Sequence, residues 1–223
     1  MGCLCLYKIL LKLLTKDCYS NFIFVEQLLC MKVNKIVFAT GSPNKLKEVN
    51  SATIGFEIIG LKDVKITEKI PETGFTLKEN ALQKAKYVYE KTGLDCFSDD
   101  TGLEIEALNN RPGVYSAMYA GPSCDAEDNM QKVLKEMGEY TNRKAQFKTV
   151  IALILDGQEY FFEGAVSGVI LKEKTGANGF GYDPIFKPLG YKESFAEMSI
   201  AQKNKISHRG LAVKKLIRFL ARV

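Results

Sequence analysis

The order of elements predicts an α/β fold built on a mixed sheet, in a single domain. Three observations carry this. The apolar, β-branched run "KIVFAT" (Lys35–Thr40) passes through a small-residue turn into a helix and on to a second strand, "FEIIGL", an early β-α-β pattern. Further along, "AQFKTVIALILDGQEYFFEGAVSGVI" reads as two long strands joined at Asp156-Gly157, the strongest hairpin signal in the chain. A helix closes the chain and no linker-like stretch interrupts it. Parallel pairing early and antiparallel pairing later give a mixed sheet flanked by helices.

Each element has its own warrant. In "GSPNKLKEV", Gly41 and Pro43 mark a turn into a helix. "FTLKENALQKAKYVYEKTG" carries an apolar stripe of Leu77, Ala81, Leu82, Ala85, Val88 and Tyr89, with Gly93 just past its end. "DCFSDD" and "GLEIEAL" read as two short strands around a turn at Thr101-Gly102. "CDAEDNMQKVLKEMGEY" is an amphipathic helix, and "TGANGFGYDPIF" is too punctuated by glycine for either regular element. In the closing helix "SHRGLAVKKLIRFLARV", Ser207 is placed as the N-cap.

Composition narrows the function classes. The 223 residues are 46% hydrophobic and carry a net charge of +5, an ordinary globular balance. Lysines are scattered and form no basic stripe, which argues against a nucleic-acid partner. One histidine, His208, excludes a His-rich metal centre. Four of the six cysteines fall within residues 1–30, so the remainder holds no disulfide framework and a reducing, cytoplasmic setting is expected. Residues 1–30 are interrupted by Lys8 and Lys12, which argues against a membrane span. They read as a dispensable extension or a mis-assigned start, with a single domain over 31–223 beginning at "MKVNKIVFATGS".

Five stretches carry chemistry. "TGSPNKLKE" ends a strand and opens a helix, where outward backbone N–H groups favour an anion; Ser42 and Asn44 add donors and Lys45 a cation. "SDDTG" places Asp99 beside Asp100, hard oxygen ligands suited to Mg²⁺, and strand alternation sends the two to opposite faces. Glu72 in "PETG" is a third acidic candidate. In "GANGFGYDPIF", Phe180 and Tyr182 offer stacking faces for a base, with Asp183 fixing the loop, and "KNKISHRG" sets His208 and Arg209 beside a helix N-terminus. Together these make an inventory for a nucleoside triphosphate with Mg²⁺.

The set resembles the Ham1/RdgB family of non-standard purine nucleoside triphosphate pyrophosphatases (inosine triphosphate pyrophosphatase-like). The resemblance covers residues 32–223 and rests on "TGSPNKLKE", "ETGFTLKENALQKA", "SDDTGL", "RPGVYSA", "GFGYDPIF" and "KNKISHRG", in the family's order. It implies an elongated α/β fold with two lobes around a central cleft, and a homodimer. The implied reaction is hydrolysis of ITP, dITP or XTP to the monophosphate and pyrophosphate with Mg²⁺. By the same resemblance Thr40, Gly41, Ser42, Pro43, Asn44 and Lys45 hold the triphosphate. Asp100 is the proton acceptor and a metal ligand, and Glu72 the second metal carboxylate. Thr101, Phe180, Gly181, Tyr182, Asp183, Lys203, His208 and Arg209 bind the nucleotide, with Lys84 a further contact. Two positions depart from the family pattern: Ser42 stands for a frequent Asn, and Met118 for a frequent Arg.

Two other readings compete. A haloacid dehalogenase-type phosphatase would need D-x-D-x-T after an early strand, whereas these aspartates are adjacent and mid-chain. A non-catalytic nucleotide-binding module would bind without turnover and would not need Asp100.

Overall fold

The structure, a computed structural model, describes residues 34–53 and 55–223. The expectations for residues 1–30 lie outside the described residues. From Lys35 on, the chain forms one compact unit.

Seven strands form one mixed sheet: β1 (Asn34–Phe38), β2 (Phe56–Gly60), β3 (Cys96–Ile105), β4 (Arg111–Gly113), β5 (Lys144–Leu155), β6 (Gln158–Ile170) and β7 (Phe186–Pro188). Their order is β2-β1-β3-β5-β6-β7, with β4 pairing on β3. β1 runs parallel to β3, and β3, β5, β6 and β7 pair antiparallel in turn. The expected hairpin forms at Asp156 (φ 48°) and Gly157 (φ 77°), both with the positive φ that a two-residue turn of this hand requires.

Among the described residues, five helices flank this sheet: α1 (Pro43–Ala52), α2 (Leu77–Thr92), α3 (Ala126–Met137), α4 (Ile200–Ile206) and α5 (His208–Leu220). Their ends follow local chemistry. Ser42 caps α1 with Pro43 at its first turn, and Thr76 and Glu79 form a reciprocal capping box on α2. The Ser207 hydroxyl accepts from Gly210 N at 3.1 Å to start α5, as the sequence indicates. The separate helix α4, capped by Ser199 with Gln202, was not legible as such.

One expectation is corrected. Residues 96–105 are a single ten-residue strand, and Thr101-Gly102 lies inside it instead of turning the chain. β5 supplies a continuous partner, pairing Asp100 with Val150, Thr101 with Thr149 and Gly102 with Lys148. Twelve consecutive residues on the neighbouring strand override a local Thr-Gly turn signal.

The length of β3 and β5 sets where the cores sit. At one end, Phe97, Ile151 and Leu153 pack with Phe38 beneath α1 and α5. On the reverse face of the same segment, Cys96, Ala152 and Ile154 pack with Ala81, Ala85 and Val88 of α2. At the other end, Leu103, Ile105 and Phe147 join Val133, Phe186 and Phe195 in a third cluster. Between these cores both strands turn polar: Ser98, Asp99, Asp100 and Thr149 are all buried. Polar side chains so placed need partners, which the flanking helices supply.

Candidate active site

The polar waist of β3 opens into a cleft of about 510 Å³, within the ~300–1,000 Å³ range of small-molecule sites. Thr40, Gly41, Ser42, Asn44 and Lys45 line it from the β1–α1 turn, and Glu72 and Lys84 from the loop before α2 and from α2. Asp100 and Thr101 come from β3. Phe180, Gly181, Tyr182 and Asp183 come from the glycine-rich loop, and Lys203, His208 and Arg209 from α4 and α5. Of the residues singled out in the sequence, Pro43 is outside this lining; its ring serves the first turn of α1.

The two aspartates do face opposite ways. Asp99 points to the α1/α5 face, where Lys45 Nζ donates to it at 3.0 Å and Arg209 Nε at 2.9 Å. It is 1% exposed. Burial disfavours its charge, but Lys45 and Arg209 outweigh that and hold its carboxyl well below the usual carboxylate range. Asp100 points to the α2 face and into the cleft. Asn80 Nδ2 donates to it at 3.3 Å and Lys84 Nζ at 3.4 Å. Burial pushes the Asp100 carboxyl up, against the pull of Lys84 and Lys45. A carboxylate with a raised pKa in a cleft is a stronger proton acceptor than a free one.

Lys84 also donates to Glu72, so its ammonium lies between the two carboxylates. Burial opposes its charge, but Asp100 and Glu72 prevail and raise its pKa. Asn80 steadies the arrangement by accepting from Gly74 N at 2.7 Å, tying the Glu72 loop to Asp100. Both carboxylates thus converge on a point where a cation already sits. Among the described residues no cluster of three metal-ligating side chains occurs. Two carboxylates with open positions suit Mg²⁺, which keeps waters and substrate oxygens as its remaining ligands.

A second buried charge network ties the other walls together. Glu48 of α1 accepts from Lys203 Nζ at 2.7 Å and from Arg209 Nη1 at 2.5 Å. Lys203 also donates to Asp183 at 2.6 Å, and Asp183 accepts from Phe180 N at 2.8 Å, which fixes the glycine-rich loop. Lys203 Nζ lies 4.9 Å from the Phe180 ring centre. His208 stacks on Phe147, 4.5 Å between ring centres, and its Nδ1 has no partner among the described residues. Burial, with Arg209 and Lys203 nearby, lowers its pKa well below 6.5, so the imidazole is neutral.

Three side chains behave differently from the sequence reading. Tyr182 is buried, and its hydroxyl donates to Ser116 O at 2.8 Å, so Phe180 is left as the half-buried stacking face of the pair. The Ser42 hydroxyl is engaged as the α1 cap, accepting from Lys45 N at 3.4 Å. Met118 is 47% exposed and does not itself line the cleft, although Ser116 and Ala117 beside it do.

Sequence reasoning missed Glu48, Asn80 and Asn129. Each is a polar residue buried on the packed face of a helix. That signal was available: Asn80 and Lys84 fall four apart within the apolar stripe of α2. Phe147, which supports His208, sits on β5 among core residues and carries no distinguishing mark.

Comparison with known proteins agrees with this arrangement. The family model described as Ham1 family matches residues 36–219. A protein of Flavobacterium johnsoniae named dITP/XTP pyrophosphatase is 52% identical over 187 residues, 83% of this chain and 97% of that relative. One of the same name from Porphyromonas gingivalis is 50% identical over 190 residues, covering 84% and 98% respectively. Among solved structures, the Staphylococcus aureus Ham1 protein superposes with a TM-score of 0.76 at 38% identity, covering 84% of this chain and 98% of that one. A HAM1 protein from Coxiella burnetii gives 0.77 at 37% identity, covering 85% and 99%. On sequence, fold and the placement of its shared motifs, this chain belongs to the Ham1 family.

Proposed function

We propose that this protein hydrolyses non-standard purine nucleoside triphosphates, ITP, dITP and XTP, to the monophosphate and pyrophosphate, clearing them from the nucleotide pool. The observation that carries the reading is the convergence of Glu72 and Asp100 in one cleft with the α1 N-terminus and the Phe180–His208–Arg209 group. The relatives named dITP/XTP pyrophosphatase support the substrate class.

The chemistry follows from the residues. Backbone N–H groups at the start of α1 receive the triphosphate, with Lys45 beside them. Asp100 accepts a proton from the water that attacks the α-phosphorus; the oxygen bridging the α and β phosphates keeps the bonding pair and leaves with pyrophosphate. Glu72 and Asp100 are the residues that would hold Mg²⁺, which when bound supplies charge neutralisation to the phosphate oxygens. Phe180 offers a face to the base. His208, being neutral, and Arg209 present hydrogen-bonding groups suited to a 6-oxo purine. A 6-amino purine would leave a donor facing a donor, at a cost of roughly 1–3 kcal/mol per buried mismatch.

We further infer a homodimer, as the family resemblance implies. A cytoplasmic setting agrees with the free thiols Cys96 and Cys124; no helix among the described residues is long and apolar enough to cross a membrane. The deciding assay offers ITP, XTP, dITP, ATP and GTP with Mg²⁺ and resolves the products. Pyrophosphate from the first three, lost in excess EDTA, is the expected result. Inorganic phosphate as the first product would return the case to a phosphatase, and binding without turnover to a nucleotide-binding module.

A further inference from the structure

Lys84 holds an unusual place for a residue of a substrate cleft. Its side chain is 8% exposed, on the buried stripe of α2, and its ammonium pairs with both carboxylates of the proposed metal site. The other cleft cations are paired elsewhere: Lys45 with Asp99, Lys203 with Glu48 and Asp183, and Arg209 with Glu48 and Asp99. Asn80 holds Asp100 from the side and is neutral. Lys84 is therefore the cation in direct contact with both Glu72 and Asp100 among the described residues.

We propose that Lys84 is a built-in placeholder for the divalent ion, and that it makes metal binding conditional on the nucleotide. The proposal rests on the reading of Glu72 and Asp100 as the metal pair. A cation entering between these carboxylates meets the ammonium already there, and like charges at contact distance in a partly desolvated site oppose one another strongly. Without nucleotide, the ion must bind against the ammonium that Glu72 and Asp100 already hold. A triphosphate in the cleft provides another anion. The ammonium then transfers its pairing to phosphate oxygens, and the two carboxylates are released to the metal. Lys84 thus acts as a positioning residue that couples the two binding events, and by linkage the nucleotide and the ion favour one another equally.

The test measures Mg²⁺ binding by calorimetry and thermal shift, in full-length protein without nucleotide. The wild type is expected to bind Mg²⁺ weakly and to gain little thermal stability from it. Lys84→Met and Lys84→Gln, which remove the charge, should bind Mg²⁺ at least about tenfold more tightly, within the usual range of coupling between sites. Lys84→Arg, which keeps it, should resemble the wild type. Adding a non-cleavable ITP with a methylene bridge between its α and β phosphates should strengthen Mg²⁺ binding in the wild type, corrected for Mg²⁺ held by the free analogue. It should do so far less in Lys84→Met.

Equal Mg²⁺ affinity in wild type and both neutral variants, lost in each on Glu72→Gln, would overturn the placeholder while leaving the metal pair standing. Mg²⁺ binding indifferent to Glu72→Gln in every background would overturn both. Should the neutral variants fail to fold, the wild type still decides: Mg²⁺ affinity independent of the analogue refutes the coupling.

Discussion

Asp99 and Asp100 are neighbours on one strand, yet they belong to different parts of the molecule. Asp99 faces α1 and α5, is sealed from water and is held by two cations. Asp100 faces α2 and the cleft, shares its one direct cation with Glu72, and is pushed by burial toward the protonated form. The first environment makes a carboxylate permanent; the second makes one responsive. A half-turn of strand pleat separates scaffold from chemistry, and the pair avoids mutual repulsion because each charge is answered from a different helix.

The contrast can be broken most sharply at Asp100. Asp100→Asn keeps the shape but accepts no proton and ligates poorly. Turnover should fall by roughly 10³-fold or more, with Tm nearly unchanged. Steady-state pyrophosphate release and a thermal melt on the same sample check this. Comparable losses of activity and stability would erase the division between the two faces.

Asp99→Asn should give the complementary result. Two buried cations lose their shared anion, though Glu48 still pairs with Arg209. A stability loss of about 3 kcal/mol in urea denaturation is expected, at the lower end for a broken buried pair. The folded fraction should retain more activity than Asp100→Asn.

Gly164 on β6 sharpens the comparison from the scaffold side. A Cβ there would lie 2.1 Å from His208 O and 2.7 Å from Ala212 N, so only glycine lets the start of α5 settle on the sheet. Gly164→Ala should cost about 2 kcal/mol of stability by overpacking. By shifting His208 and Arg209 it should raise KM for ITP more than it lowers kcat. An unchanged KM would place the base-reading group elsewhere.

The smallest effect is in the pH dependence of stability, where the two aspartates have opposite signs. The folded pKa of Asp99 lies below its ordinary 3.8, so its contribution is present above 3.8 and fades as the pH falls through the folded value. The folded pKa of Asp100 lies above 3.8, so its contribution is present below 3.8 and is lost as the pH rises through the folded value. Urea titrations of both Asn variants across the acid range should show the Asp99→Asn penalty shrinking toward low pH. Any gain from Asp100→Asn should appear only on the neutral side.

Much of this was legible before the structure. The hairpin, the α2 stripe with its glycine end and the Ser207 cap are local signals, written within a dozen residues. The Thr40–Lys45, Phe180–Asp183 and His208–Arg209 stretches were legible because they sit at turns and helix starts, where turn chemistry marks them; Asp100, inside β3, was marked only by the charge beside it. The Thr101-Gly102 strand interior was not, because its conformation is dictated by β5, some fifty residues away. Glu48 was passed over for a similar reason: its partners Lys203 and Arg209 come from the far end of the chain. Long-range pairing leaves no local trace beyond a charge on a face expected to be greasy.

The continuity of β3 and β5 through all three core clusters has a consequence for how the protein opens. No cluster can be lost without fraying strands that the others need, so the chain from β1 onward should melt as one cooperative unit, with no separable subdomains. Asp99, Asp100 and Thr101 lie at the centre of that shared ladder, and the alternate amide hydrogens there that are donated to β5 should exchange with solvent only through global unfolding. The loops that bear Glu72 and Phe180, outside the ladder, are free to exchange sooner. On the proposed mechanism, the carboxylate that accepts the proton is thus anchored in a slowly exchanging stretch of the fold, while the groups proposed to admit and release a nucleotide are carried on faster ones.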